Sequence, residues 1–301
     1  MKQERVKNLL FLFFQAVFII TVFICALNIA KSRPTNETFV NKYASSDVVY
    51  VDGTSAHFDS KNFGTVNRGD VATVHIRLPD EPLRDQPTLC FYIYHSVTEI
   101  WCGDTLLDAY GADIDARGDL VGNKRFIVPL PEEAMGGEVT IILRATEDKA
   151  FNQIKNLKLY SARDAYQYYI DADPISFAVS IPLFFLGCVA LMAMLFTGHY
   201  NSEWRKGVYI ALFAVLISAW MMGSKGLPAM FGLAGYGTSI MEFIAVFTVA
   251  TPILLYAYES EKKGVFRTVL LSAALANIAF FALATILNFA NVLHYSATLL
   301  L

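Results

Sequence analysis

The chain has 301 residues, of which 55% are hydrophobic and 14% aromatic, and its mean hydropathy is +0.42. These values lie above those of soluble domains and indicate a membrane protein. Residues 31–173 hold 22 of the 27 acidic residues but only 15 of the 24 basic ones, a local excess of seven negative charges. This balance argues against nucleic acid and anionic membrane surfaces as partners of that segment.

Five stretches with few or no charged residues are long enough to cross a bilayer, whose apolar core of about 30 Å needs roughly 20 apolar residues per helix. They predict membrane spans at residues 9–30, 174–197, 207–223, 240–258 and 268–287. A further apolar run ends at Leu301, so we expect another span to begin near Asn291 and the chain to continue beyond its last residue. The predicted parts are an anchor (residues 1–30), a soluble domain (31–160) and a helical join with a multi-span bundle (161–301).

The first span has two interpretations. The apolar run of residues 9–27 is longer than the core of an ordinary signal peptide, and cleavage after Ala30 would place Asn28 where a small residue is needed. We therefore favour an uncleaved anchor, with a cleaved signal peptide as the alternative.

Basic residues beside the spans predict the orientation, because Lys and Arg near helix ends stay in the cytoplasm. They occur within residues 1–7, 198–206 and 259–267, which all fall on one side of the bilayer if the spans are as predicted. The amino terminus is then cytoplasmic and residues 31–173 are extracytoplasmic.

The soluble domain contains short segments in which apolar and polar residues alternate, as in half-buried strands. They lie at residues 74–78, 89–94, 125–129, 139–144 and 154–160, with Gly, Pro and Asp in the intervening turns. An antiparallel sandwich closes such strands around one core. We interpret the domain as an all-β jelly roll of the carbohydrate-binding type.

Two of the four cysteines, Cys90 and Cys102, lie in this domain. If Tyr94 and Thr98 flank a three-residue turn, the two cysteines face each other across a hairpin, and an exported location permits a disulfide. If instead the strands cross between sheets, both are buried free thiols. The sequence leaves both alternatives open.

Chemical motifs of enzymes and metal sites are not found. The segment 113–118 begins like a calcium loop, but Arg117 and Lys124 occupy positions where oxygen ligands are required. The five histidines show no paired metal spacing, and no nucleotide loop or nucleophile motif occurs. We expect no catalytic residue, metal or cofactor in this chain.

A small polar ligand or carbohydrate is the partner that the β domain suits best. Aromatic faces with a few convergent polar groups are typical of such sites, although the same aromatic residues also serve in sheet packing. The candidate ligand-binding residues are Tyr92, Tyr94, Trp101, Tyr110, Asp113 and Arg117. A homodimer is one arrangement that the sequence leaves open.

The join to the membrane bundle begins with Ser161-Ala162-Arg163-Asp164, which has the form of a helix capping box. A helix from Ser161 towards Pro174 would transmit a tilt of the sandwich into the next span, whereas a flexible linker would absorb it. Farther along, Lys225 and Glu242 lie near the outer boundary. They either pair or extend their charges to the interface, and we favour the second.

The order of these parts resembles the bacterial seven-transmembrane receptors with diverse intracellular signalling modules, in particular membrane-bound GGDEF diguanylate cyclases. The similar stretches are residues 97–107 (VTEIWCGDTLL), 154–169 and 207–258, the last with Trp220 and Pro252, within a resemblance that covers most of residues 71–301. It implies a bacterial inner-membrane receptor with an extracytoplasmic jelly roll, a multi-helix sensor and a cytoplasmic output domain. No GGDEF sequence occurs in this chain, so the family's catalytic activity has no residues here.

These observations predict the sensory half of a receptor, which binds an extracytoplasmic ligand and relays it to an output domain outside this chain. The alternative is a membrane-anchored carbohydrate-binding or envelope-interaction protein without signalling output.

Overall fold

The computed structural model describes residues 44–81, 83, 85–197, 202–233 and 235–298. The predicted anchor at residues 9–30 and the end of the apolar run at Leu301 lie outside them. Within these residues the chain forms a β domain followed by a helical region.

The β domain consists of two antiparallel sheets. Six strands form one sheet in the order β2-β1-β3-β8-β5-β6, and three form the other in the order β7-β4-β9. The strands are β1 (Ala44–Val49), β2 (Ser55–Phe58), β3 (Val71–Arg77), β4 (Pro87–Ile93), β5 (Ser96–Cys102), β6 (Thr105–Tyr110), β7 (Lys124–Pro129), β8 (Glu138–Ala145) and β9 (Lys155–Ser161). The predicted antiparallel β domain is confirmed, and four strands, β1, β2, β5 and β6, are added that the alternation did not predict.

One apolar core lies between the two sheets. Ala72, Val74 and Ile76 alternate along β3 and are fully buried, as period-two patterning requires. From the facing sheet, Phe91 and Phe126 stack with ring centroids 4.7 Å apart. Residues of both sheets belong to this single cluster, so burial of apolar surface holds them together.

The chain crosses from one sheet to the other between β4 and β5. His95 makes the tight turn with a left-handed backbone, φ 42°. β4 therefore pairs with β7 and β9, whereas β5 pairs with β6 and β8. The hairpin needed to bring Cys90 opposite Cys102 is not formed, and both cysteines are free thiols; Cys90 is buried, as the second alternative expected, whereas Cys102 is only partly buried.

Four segments of the helical region are apolar and long enough to cross a membrane. The helices, including three short ones of four or five residues, are α1 (Ala112–Ala116) within the β domain, α2 (Tyr168–Asp171), α3 (Pro174–Thr197), α4 (Ser202–Ser224), α5 (Gly235–Thr248), α6 (Ala250–Ser260), α7 (Val265–Phe289) and α8 (Tyr295–Thr298). Helices α5 and α6 together form the third of these four segments, from Gly235 to Ser260. The four spans predicted after residue 173 are thus confirmed as membrane-length helices, each within a few residues of its expected bounds.

The segment formed by α5 and α6 is interrupted at Val249. Pro252 lacks the amide that would bond to the carbonyl of residue 248, and the Thr248 hydroxyl donates back to Ile244 O at 2.6 Å. Beside the break, Thr251 Oγ1 donates to Asn277 Oδ1 of α7 at 2.6 Å, which ties the two helices together.

The join between the domains is helical but not continuous. Instead of a capping box, Ser161 Oγ donates to Asp164 Oδ2 at 3.0 Å, and a 3₁₀ turn at Ala165–Gln167 leads into α2. Pro174 disfavours a helical conformation at Asp173, which ends α2 and begins α3. The Asp173 carboxylate accepts a hydrogen bond from the Ser176 amide at 3.3 Å, so it caps α3, with Pro174 at the first helical position.

The spans alternate in direction, so each has one end at the β domain, here called the near end, and one at the opposite side, the far end. Close approach between neighbouring spans depends on glycine. A Cβ on Gly187 of α3 would lie 2.8 Å from Val215 of α4, and one on Gly223 of α4 would lie 3.0 Å from the Glu242 Cα of α5. These contacts hold α3, α4 and α5 side by side beneath the β domain.

Candidate functional site at the domain junction

The β domain contacts the near ends of the helices through its three-stranded sheet and the loops around residues 118–123 and 147. All seven residues of β4 are buried, because Leu89, Phe91 and Ile93 face the core while Cys90 and Tyr92 face the join and the helices. A strand that is apolar on both faces is one covered on both faces. We call this contact region the junction.

Arg125 of β7 is the central residue of the junction. Its side chain is buried, its Nε donates to the Lys225 carbonyl at the end of α4, and its Nη1 lies 3.5 Å from Tyr168 O. The guanidinium stands 5.3 to 5.5 Å from the ring centroids of Tyr92, Tyr168 and Tyr169. Among the described residues no carboxylate pairs with it, so carbonyl oxygens and aromatic faces compensate its charge.

Tyr92 extends the same contact. Its hydroxyl donates to Ser224 O at 3.3 Å, and burial raises its pKa well above the ordinary value, so it remains a neutral donor. Gly226 lies against both side chains with φ 63°. A Cβ there would lie 3.0 Å from Tyr92 and 3.1 Å from Arg125, so this turn requires glycine both for its backbone and for its space.

A second contact joins the loop before β7 to α5. The Asn123 amide donates to Ser239 Oγ at 2.8 Å, and Asn123 Nδ2 donates to Glu242 Oε2 at 3.2 Å. Lys225 does not pair with Glu242. It forms an ion pair with Asp173 at 2.7 Å instead, which links the near ends of α3 and α4.

A third contact holds the turn after α7. His294 Nδ1 pairs with Glu147 of the β domain, and its Nε2 donates to Gly118 O at 3.0 Å. The Glu147 carboxylate raises the pKa of His294 and favours the imidazolium, in which both ring nitrogens are donors. Asn291 Nδ2 donates to Arg117 O at 3.3 Å beside it.

The six predicted ligand-binding residues are divided among three places. Tyr92 and Tyr110 lie in the junction, where a Cβ on Gly235 would stand 2.6 Å from the Tyr110 hydroxyl, and Tyr94 lies at its edge. Trp101 is on the six-stranded sheet, where its Nε1 donates to Glu99 at 3.1 Å.

Asp113 lies on helix α1 and Arg117 directly follows that helix, and both side chains are exposed. They pair at 3.3 Å, and Arg117 also pairs with Asp119 at 2.9 Å. The structure thus brings Tyr92 and Tyr94 together, with rings 4.7 Å apart, but does not bring them together with Trp101, Asp113 or Arg117. In the described part of the chain, no cluster of His, Cys, Asp and Glu is arranged to hold a metal ion.

Two cavities adjoin the junction. One, of about 610 Å³, lies between β7, the join and the turn after α4, with Lys124, Ile127, Tyr169 and Met230 in its wall. The other, of about 320 Å³, is lined by Tyr94, Lys155 and the loop of residues 149–153. Both lie where a bound molecule would touch the β domain beside its contact with the spans.

No local sequence pattern marks Arg125, Asn123, Glu147 or His294 as interdomain residues. One signal could have indicated such a contact, because the outward positions of β4, Cys90 and Tyr92, carry no charge, although the alternation predicted a half-buried strand. Which residues cover it depends on contacts between residues 100 or more positions apart, which a local sequence pattern does not show.

The chain matches no protein-family model, and no curated protein is significantly similar to it. Inferences about its function therefore depend on the geometry of the junction.

Proposed function

We propose that this chain is the sensory part of a bacterial inner-membrane receptor, similar in plan to the seven-transmembrane receptors with intracellular signalling modules. In this proposal the β domain is an extracytoplasmic jelly roll that binds a small polar ligand. The spans carry the resulting change across the membrane to a cytoplasmic output domain outside the residues described here.

The distribution of charge supports this orientation. Because the spans alternate in direction, Arg205, Lys206, Lys262, Lys263 and Arg267 all belong to the far end, opposite the β domain. Arg205 pairs there with Glu259 at 3.0 Å, which ties α4 to α6. Basic residues beside spans are retained in the cytoplasm, so a cytoplasmic far end places the β domain outside.

The observation that carries the proposal is the direct attachment of the β domain to several spans. Arg125 and Tyr92 bond to the end of α4, Asn123 bonds to α5, and Glu147 bonds to the turn after α7. A domain tethered by one linker could tilt without consequence. This one cannot move without breaking or displacing contacts on three helices at once.

Signalling then requires two arrangements of the junction with different ligand affinities. A ligand that favours one arrangement shifts the population by its differential affinity for the two. Coupling free energies of about 1–3 kcal/mol, or roughly 5- to 150-fold in affinity, are typical of such systems. One or two hydrogen bonds of the junction are of this size.

The test measures the far end while the near end is changed. Nitroxide labels are placed through Lys206→Cys and Lys262→Cys in the full chain in lipid nanodiscs, after the four native cysteines are replaced by alanine. Their distance distribution is compared with and without Arg125→Met at the junction. We expect the variant to shift or broaden the far-end distances by about 1–2 Å, the scale of helix displacements in known switches.

The alternative function, an anchored binding or envelope-interaction protein, gives a different result. In that case the spans only hold the β domain at the membrane, so the far-end distances are the same with and without Arg125→Met. Lys124→Met, next in sequence but directed towards Asp108 at 3.5 Å, is the matched control and leaves the distances unchanged in either case.

A further inference from the structure

The cavity of about 320 Å³ at the edge of the junction has the size and the lining of a ligand site. Its volume is at the lower end of the range for small-molecule pockets, which is about 300–1,000 Å³, and suits a molecule of monosaccharide size. The polar residues of its wall are Thr65, Tyr94, Lys149, Asn152, Gln153 and Lys155.

Its wall is held in place without a ligand. The loop of residues 149–153 is bound to the segment 61–66 by backbone hydrogen bonds from Phe63 N to Asn152 O at 3.0 Å and from Val66 N to Phe151 O at 3.2 Å. Below it the Phe63 and Phe151 rings pack edge to face, with centroids 5.8 Å apart. A preformed cavity loses little ordering entropy on binding.

The charge of the lining is opposite to that of the domain. Residues 31–173 carry an excess of seven negative charges, yet the cavity is lined by two lysines and no carboxylate. Lys149 adopts a left-handed backbone, φ 54°, which costs a non-glycine residue energy, and such strained residues cluster at functional sites. Burial, and secondarily the charge of Lys225, lowers the pKa of Lys155, so an anion beside Lys155 would relieve an unfavourable environment.

Tyr94 supplies a further hydrogen-bonding group. Lys155 Nζ donates to its hydroxyl at 3.3 Å and lies 4.4 Å from its ring centroid. Burial raises the pKa of Tyr94 to about 12, so the hydroxyl is protonated at neutral pH, and among the described residues its proton has no acceptor. The two amides and Thr65 add donors and acceptors of the kind that recognise hydroxyl groups.

We propose that this cavity binds a small hydroxylated anion, a ligand with one carboxylate or phosphate group held by Lys149 and Lys155 and hydroxyl groups held by Thr65, Asn152 and Gln153. The inference depends on the proposed sensory function and specifies the chemical class of its ligand. The cavity also has a direct route to the spans. The Tyr94 ring meets Tyr92 at 4.7 Å, and Tyr92 donates to Ser224 at the end of α4.

The binding test uses the full chain in phosphatidylcholine nanodiscs, titrated calorimetrically with D-glucuronate, D-galacturonate and D-glucose 6-phosphate, and with neutral D-glucose. We expect at least one of the three anions to bind at least about tenfold more tightly than glucose. Equal binding of glucose and the anions, or no binding of any of the anions at about 10 mM, would overturn the proposal.

Variants place the binding in this cavity. Lys155→Met should weaken anion binding about tenfold or more, and so should Lys149→Asn, in which asparagine tolerates the left-handed backbone. Lys158→Met is the matched control, three residues along the same strand and outside the cavity, and should leave affinity unchanged. If Lys158→Met weakens binding as much as Lys155→Met while both proteins keep their unfolding temperature, the anion binds elsewhere.

Two further measurements separate the sources and the functions. In nanodiscs with phosphatidylglycerol, unchanged affinity for the anion supports a soluble ligand, whereas competition assigns the site to a lipid headgroup and contradicts the proposal. Binding together with a change in far-end distances supports both proposals. Anion binding without a change in far-end distances supports the ligand class and contradicts the sensory function. A change in far-end distances caused by Arg125→Met, without anion binding, supports the sensory function and contradicts the ligand class.

Discussion

Replacement of Arg125 by methionine should release the β domain from the end of α4. Methionine keeps an unbranched side chain of similar reach but removes the charge and all donors. The lost bond from a charged donor to the Lys225 carbonyl is worth about 1.5–3 kcal/mol, and the cation–π contacts in this desolvated setting are worth about 1–2 kcal/mol. Methionine restores part of this free energy by burying apolar surface. We therefore expect the contact between the β domain and the end of α4 to lose about 2–4 kcal/mol in total.

Hydrogen exchange measures this loss directly. Amides of residues 225–232, in the turn that receives Arg125, exchange through local opening, and 2–4 kcal/mol corresponds to roughly 30- to 1,000-fold faster exchange. Arg125→Lys keeps the charge without the planar fork and should give an intermediate rate. In Lys124→Met only a partly exposed ion pair with Asp108 and cation–π contacts are lost, so the change should stay below about 1 kcal/mol. Exchange in Arg125→Met within about threefold of the wild type would refute the assignment of Arg125 as the central contact.

Two further predictions concern the other contacts of the junction. Because the pKa of His294 is raised, its contact with Glu147 is fully present below the ordinary histidine pKa of about 6.5 and is lost as the pH rises through the raised value. The amides of residues 291–298 should therefore exchange faster at higher pH. The variant His294→Gln should remove this pH dependence. An unaltered pH profile in His294→Gln would show that another group titrates. Gly122→Ala would place a Cβ 2.3 Å from Ser239 Oγ and should lower the free energy of unfolding by about 1–3 kcal/mol, measured by thermal unfolding. The control, Gly264→Ala, has open space around the new Cβ and should change the free energy of unfolding by less than about 0.5 kcal/mol. Equal melting temperatures for the two variants would show that the 122–123 loop does not pack on α5.

Local patterns in the sequence determined the four long helical segments and five of the nine strands in the described residues. Stretches of about 20 residues with few or no charges predicted four membrane-length helices. The length of such a stretch depends on the thickness of the apolar layer and not on which helices pack beside it. Period-two alternation at residues 74–78 and 139–144 predicted strands β3 and β8 for the same reason, since one face of each is buried.

The tertiary structure alone decided how these elements meet. The chain changes sheets at His95, so Cys90 and Cys102 do not face each other, although local spacing allowed a hairpin. In the sequence, Arg125 is not distinguishable from other strand residues. In the structure it bonds to the Lys225 carbonyl, 100 positions later, and contacts three tyrosine rings. Hydropathy and residue spacing indicate whether a residue is buried. The identity of the residue it contacts depends on long-range packing, and in this protein that packing forms the junction.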